Sequence, residues 1–409
     1  MLSAALSVRS LLLAVFTLMA GAGLMSTLVS LRLERAGAPP LAIGLVGSAY
    51  FAGLTIGSLH ARRVIRRVGH IRAFSAFVAL LSSSTLTYAL QSHVGLWGTL
   101  RLIDGVCVAG VYVCIESWLA DRSEPATRGS ILAAYMISLY GGQAVSQFLL
   151  STGERGAPTT FIPASILISL SILPIALTRS RGPAVVEHSG MSPRRLFAVS
   201  PLGMVGAGAT GVIMGAFYAL GAVYAQRIGM NLVQTASFMS AVIVGGVVLQ
   251  WPLGWLSDRF DRRKVITAVL AGAAAVAVAL AVAGRPGALL FVLGGIFGGF
   301  AFALYPLCVA HANDHVAPEL RVGASGALVL VYSAGAAAGP LLGSACLAAL
   351  GAPGLFAFVA ATAGLALMFA LWRMTQRPSL PEDHQQPYQA LARTTPMLAN
   401  LDPLAPDNS

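Results

Sequence analysis

Charge is what this chain has least of. Asp, Glu, Lys and Arg make up 10% of its 409 residues, while hydrophobic types reach 56%; a soluble protein carries about a quarter charged residues. Such a chain cannot cover itself with ions, so lipid is the expected solvent for most of it. Cysteine is scarce as well. Cys107, Cys114, Cys308 and Cys346 all fall inside apolar stretches, which excludes a disulfide-stapled secreted scaffold and leaves small buried hydrophobes. No C-x-x-C pair and no His/Cys cluster of familiar spacing is present, so no metal and no cofactor is expected. A G-x-x-x-x-G-K-[ST] loop is missing, which disfavours an ATP-driven pump. The few ionisable residues are scattered rather than gathered at one membrane depth, so no catalytic residue is assigned and an enzyme is not expected. Ten-residue alternating strands are absent too, which excludes a porin-like barrel. The formal charge of +11 would suggest a nucleic-acid partner only if the basic residues formed a patch on a soluble face. They sit instead in short islands between apolar stretches, and no nucleic acid is expected.

What the chain has in abundance is apolar length. A helix crossing about 30 Å of hydrocarbon needs roughly 20 residues, and that length recurs at 8–31, 42–61, 71–91, 95–118, 129–150, 161–178, 201–224, 232–254, 265–283, 287–309, 322–346 and 352–372. The first stretch is span-length, followed by others, and shows no convincing cleavage site, so it reads as a retained helix rather than a leader. Pro163, Pro174, Pro306 and Pro340 inside such segments are tolerated where neighbouring helices re-satisfy the backbone. Twelve spans give an all-α integral membrane protein. Counted from a cytoplasmic N-terminus, twenty Lys and Arg fall on one side and five on the other, with Arg101 inside a span. Over short loops that bias places both termini in the cytoplasm, as expected for a multi-pass protein of a bacterial inner membrane.

The longest internal polar stretch joins the sixth and seventh spans and divides the chain into a six-helix bundle over 1–178, a linker over 179–200 and a second bundle over 201–375. The tail, 376–409, is rich in Pro, Gln, Asp and Asn and is expected to be disordered and without function. The halves also match one another. At an offset of 193, Gly105 meets Gly298, Asp121 meets Asp314, Pro125 meets Pro318 and Arg128 meets Arg321; at 197, Gly57 meets Gly254, Arg62 meets Arg259 and Arg66 meets Arg263. Two parallel repeats about a cavity are a transporter arrangement, in which the halves rock past a fixed site.

The run Gly254-Trp255-Leu256-Ser257-Asp258-Arg259-Phe260-Asp261-Arg262-Arg263-Lys264 is similar to the signature G-x-L-x-D-R-x-G-R-R of the major facilitator superfamily, with Asp261 where glycine is usual. Arg101 followed at four residues by Gly105 resembles that family's second motif. Glu116-Ser117-Trp118-Leu119 with Asp121-Arg122 and Arg128-Gly129, and His311-Ala312-Asn313-Asp314, resemble its bacterial YcaD-like subfamily. The resemblance covers residues 8–373 and implies the major facilitator fold, two pseudo-symmetric six-helix bundles. It also implies a secondary transporter without naming a substrate. Two departures stand out. Ala61 occupies the aspartate position of the first-half loop, and the antiporter signature G-x-x-x-G-P-x-x-G is missing from the fifth span but present in the eleventh as Gly335, Gly339, Pro340 and Gly343.

The candidate coupling and gating residues are Arg101, Asp104, Glu116, Asp258 and Arg259. Asp104 lies within the fourth span, where an unpaired carboxylate costs a few kcal/mol. Arg101 shares its face at i−3, as a coupling pair or as a fixed structural ion pair. Glu116, near the cytoplasmic end, reads as an inner gate paired with a basic residue, or as a proton carrier. The resemblance implies that Asp258 is a latch between the halves, and Arg259 is grouped with it. Asp121 with Arg128, and Asp314 with Arg321, read as repeat-related structural pairs. Alternating access favours the first, fourth, seventh and tenth spans for the cavity. Tyr112, Tyr218, Tyr224 and Tyr305 are therefore candidates to line it, with Gln143 and Gln147 of the fifth span added by polarity. The expected partners are a small-molecule solute, protons as coupling ion and membrane lipid, for a monomer. An exporter of amphipathic or drug-like compounds, and a non-transporting receptor built on a transporter fold, remain the alternatives.

Overall fold

A computed structural model of the chain describes residues 8–91, 93–152, 158–177, 191–376 and 385–401, and among these it contains helices and no strands. Twelve helical segments stand where the twelve apolar stretches are. They are α1 (Arg9–Arg35), α2 (Pro40–Val68), α3 (His70–Leu90), α4 (Val94–Arg122), α5 (Arg128–Ser146), α6 (Phe161–Ala176), α7 (Pro201–Arg227), α8 (Leu232–Arg259), α9 (Arg262–Val282), α10 (Ala288–Asn313), α11 (Arg321–Leu350) and α12 (Pro353–Gln376). Ten are long and apolar enough to cross a membrane, and α5 and α6 fall outside that measure. Residues 179–190 of the expected linker lie outside the described residues. Its remainder includes a short helix, Pro193–Val199, capped by the Ser192 hydroxyl on the Arg195 N–H.

Several helices run past the apolar stretches into the basic islands. Arg62, Arg63, Arg66 and Arg67 form the last turns of α2 rather than a loop, and the helix stops only where Gly69 takes φ +83°. Arginine is a good helix former whose long stem keeps its charge in water while the backbone continues. Starts are set by local chemistry. Asn231 and Gln234 form a reciprocal capping box at α8, and the Asp261 carboxylate accepts the Arg263 N–H at the start of α9. The first span, expected to be continuous, is interrupted at Gly23 and Leu24.

The packing repeats by halves. α2 lies on α4 as α8 lies on α10, α1 on α5 as α7 on α11, and α3 on α6 as α9 on α12. The repeat-matched glycines carry this contact: a Cβ on Gly105 would strike the Tyr50 carbonyl of α2, and one on Gly298 the Val242 carbonyl of α8. Across the halves, α2 meets α11 and α5 meets α8, the same pair of contacts seen twice. They concentrate at one end of the bundle. Gly44 abuts Ser344 and Pro340 there, Ser240 donates to the Ala144 carbonyl at 2.9 Å, and Arg227 holds Glu34 through two bonds at 2.6 and 3.1 Å.

At the opposite end the halves are bridged by the tail, contrary to the expectation of disorder. Residues 385–401 lie between the halves, with a turn of 3-10 helix over Pro396–Leu401 against α4, α5 and α11. Leu391, Ala392, Met397, Leu398 and Leu401 are buried. Those five apolar side chains, dispersed among Gln, Pro and Thr, are too few to show in the composition but enough to seat the segment once main-chain partners meet it. The parts of the tail before and after, 377–384 and 402–409, lie outside the described residues.

Candidate functional site

Between the halves is a cavity of about 120 Å³. Its wall begins at the break in α1, which is fastened by the residue that follows α5: Gln147 donates to the Gly23 carbonyl at 3.1 Å and accepts from the Thr27 hydroxyl at 2.9 Å. Gln147 is thus buried behind the cavity, fastening a kink, and not part of its lining. Gln143, one turn earlier, does line it and accepts from the Tyr218 hydroxyl at 3.4 Å. Tyr112 also faces the cavity, with its hydroxyl 3.5 Å from the Met19 sulfur.

The other two tyrosine expectations fail. Tyr224 turns away from the crevice, donates to the Leu280 carbonyl of α9 at 2.7 Å and packs against Phe356 at 4.7 Å. Facing the cavity would have cost its hydroxyl this carbonyl. Tyr305 is buried behind Tyr332, its ring centroid 5.3 Å away, and it is Tyr332 of α11 that reaches the space. Tyr50, Tyr140 and Tyr332 also line it and were missed. Each sits on a helix that the favoured set of four excludes, and periodicity alone gives α2, α5 and α11 no reason to turn an aromatic inward.

Arg101 and Asp104 are both buried and their charged atoms stand 3.8 Å apart. Tyr88 of α3 donates to Asp104 Oδ2 at 2.7 Å, while the Arg101 guanidinium lies 4.1 Å over the Tyr50 ring and donates to the Ser26 hydroxyl. Arg101 therefore stands between the cavity wall and the carboxylate behind it. Asp104 Oδ1 is buried with no hydrogen-bond partner among the described residues. A buried carboxylate oxygen left open is costly while it carries charge.

Among the described residues Glu116 pairs with no basic residue. It is fully buried, accepts from the Tyr135 hydroxyl at 2.7 Å, and accepts from the hydroxyls of Thr394 and Thr395 of the tail. The fourth helix points it into the seam between halves, where the tail arrives first. The expected pairing of Asp314 with Arg321 is also replaced. Asp314 holds Arg262 at 2.6 Å, both side chains buried, and Arg262 reaches Asp258 at 3.3 Å. The tail completes this cluster: Gln386 donates its N–H to Asp314 at 2.8 Å and its carbonyl accepts from Arg262 at 2.6 Å, and the Tyr388 N–H donates to Asp258 at 2.7 Å. Gly254, the first glycine of the motif, leaves room for the Tyr388 ring, which a Cβ would strike. Arg259 stands apart from the cluster, exposed, with its guanidinium 4.0 Å over the Trp255 ring. At the neighbouring Asp261 burial works against the charge, but the hydrogen bonds of Arg263 and the positive charges of Arg263 and Lys264 outweigh it and hold the carboxyl below its usual value. Among the described residues no group of three or more His, Cys, Asp or Glu could hold a metal.

The family model for the Major Facilitator Superfamily matches residues 11–286 and 239–399. The chain is 30% identical over 365 residues to the MFS-type transporter YcaD of Salmonella dublin, covering 87% of this chain and 92% of that one. It is 28% identical over 373 residues to an MFS-type transporter of Yersinia enterocolitica, covering 90% and 94%. Among solved structures the fold is similar to the nucleoside transporter NupG (TM-score 0.74, 14% identity, 90% and 98% covered). It is also similar to a bacterial homologue of the human lysosomal transporter Spinster, inward-facing and occupied (TM-score 0.73, 15% identity, 93% and 98% covered).

Proposed function

The chain belongs to the major facilitator superfamily and is a multi-pass membrane transporter; on that premise we propose that it moves a small solute by alternating access as a secondary active transporter, with protons as the coupling ion. One observation carries the reading. The halves are clamped at one end by Glu34 with Arg227 and by paired helix contacts, and at the other end by the tail segment of the same chain. A cavity lies between the two closures, and exchanging one closure for the other exposes it to opposite sides in turn. The twenty-to-five distribution of basic residues supports a reading in which the tail side faces the cytoplasm of a bacterial inner membrane.

Asp104 is the coupling group in this reading. With the Tyr88 hydroxyl at 2.7 Å and a guanidinium 3.8 Å away, it is placed to take a proton when Arg101 turns to a solute at the cavity wall. The experiment is counterflow and pH-driven uptake in liposomes, using solutes found by thermal shift of the purified protein against metabolite and drug libraries. Asp104→Asn should still exchange solute but lose accumulation driven by a pH gradient. Accumulation undiminished in the variant overturns the coupling role, and no exchange of any stabilising solute by the native protein overturns transport.

A further inference from the structure

The tail does more than lie in the crevice. It carries one side chain into the cavity itself, and that side chain is a cation. The Arg393 guanidinium lies 4.2 Å over the Phe302 ring and 5.8 Å from the Tyr332 ring centre, with Nη2 3.5 Å from the Tyr218 hydroxyl. It forms no ion pair among the described residues, so aromatic faces and one hydroxyl are what receive it. A planar cation over such faces is held by the negative face of the ring quadrupole, and Phe302 also packs on Tyr140, 5.2 Å between centroids. These rings come from α5, α7, α10 and α11, which belong to both halves.

Two further features separate this from a chance meeting of tail and crevice. The neighbours Thr394 and Thr395 are both spent on Glu116, a buried acid for which the described residues supply no base. Upstream of Arg393, Gln386 and Tyr388 are held by main-chain bonds to Asp314, Arg262 and Asp258. The segment is therefore anchored at the mouth and presents its arginine at a fixed depth.

We propose that the aromatic subsite around Phe302, Tyr332 and Tyr218 takes the cationic head of an organic cation, a guanidinium or ammonium group on an apolar body, and that the C-terminal tail is its tethered competitor. The inference rests on the transporter reading for the cavity's purpose, but the subsite is tested by binding alone. A tethered group has an effective concentration in the millimolar range, so it excludes weak ligands and yields to those that fill the same place better. The solute also frees Glu116 when it displaces the tail, and so opens the cytoplasmic mouth as it binds.

The test uses the full-length protein and Arg393→Ala, whose substitution alters the tail and none of the twelve helices. Benzylguanidinium is the probe, with benzoate and benzyl alcohol as charge controls. Arg393→Ala should bind benzylguanidinium about tenfold more tightly than the native chain, since its competitor is gone. In a second measurement, Ala392→Cys, buried here, should react with a maleimide several-fold faster when benzylguanidinium is added. Equal affinity in the two proteins, with labelling indifferent to the probe, overturns the tethered competitor. Preference of Arg393→Ala for benzoate or benzyl alcohol overturns the cation subsite, and if that variant exchanges a neutral or anionic solute in counterflow the transporter reading survives it. Tighter benzylguanidinium binding with no solute crossing in either protein upholds the subsite and overturns transport.

Discussion

Arg262 concentrates more of this molecule's polar energy than any motif pattern would suggest. Its guanidinium is buried and meets Asp314, Asp258 and the carbonyl of Gln386 at once. Removing one partner of such a buried pair leaves the other charge uncompensated, a loss of about 3–5 kcal/mol. Arg262→Met should therefore lower the unfolding temperature of the detergent-solubilised protein sharply, and Arg262→Met with Asp314→Leu should recover much of it, because the stranded charge is gone. A double variant as unstable as the single would show that the arginine acts through something other than this pair. Among the described residues Arg259, adjacent to the same motif aspartate, makes no such network, and Arg259→Ala forfeits a stack on Trp255. Two arginines, three residues apart in one signature, have opposite fates because one is buried against Asp314 and the tail and the other faces out.

At the scale of elements, the contacts that matter are those where backbones touch. Gly298 of α10 meets the Val242 carbonyl of α8, and Gly105 of α4 meets the Tyr50 carbonyl of α2. The obstacle in each case is backbone, which cannot swing aside as a side chain can. Gly298→Ala should cost about 1–3 kcal/mol through overpacking, read as a lower midpoint in thermal denaturation. Gly364, whose added Cβ would meet nothing, should tolerate Ala without loss, and equal effects at the two sites would dismiss the close-approach argument. The match of Gly105 with Gly298 was visible in the sequence as a repeat. That it marks the tightest approach within each half was not, since a chain with 44 glycines offers many such coincidences. The single first span read over 8–31 is interrupted for a related reason: the break at Gly23 is held by Gln147, more than a hundred residues away.

For the whole molecule, the two closures compete. Arg227 and Glu34 are partly exposed, 26% and 15%, and such a pair contributes only about 0.2–1 kcal/mol. That is enough to shift a balanced two-state equilibrium by up to about fivefold. Glu34→Ala should move the population toward opening at that end, measured as faster labelling of a cysteine placed at Ser26 from outside intact cells. Unchanged labelling would mean that the helix contacts of α2 with α11 and α5 with α8 hold that end alone. The other closure was hidden from sequence reasoning, and the tail was expected to be idle. Its anchors, Gln386, Tyr388 and Thr394, are ordinary tail residues whose importance comes from whom they meet.

The chain by itself determined the membrane and the twelve helices. Hydropathy and length act over twenty neighbouring residues, and every residue needed for that reading is adjacent to the next. Tertiary structure alone decided the partners of the buried charges. Tyr88 for Asp104, Arg262 for Asp314 and two threonines for Glu116 were chosen by helix rotation and by the order in which groups reach a crevice. A carboxylate in lipid must find some partner, which composition can say; which partner it finds depends on distances that no local pattern encodes.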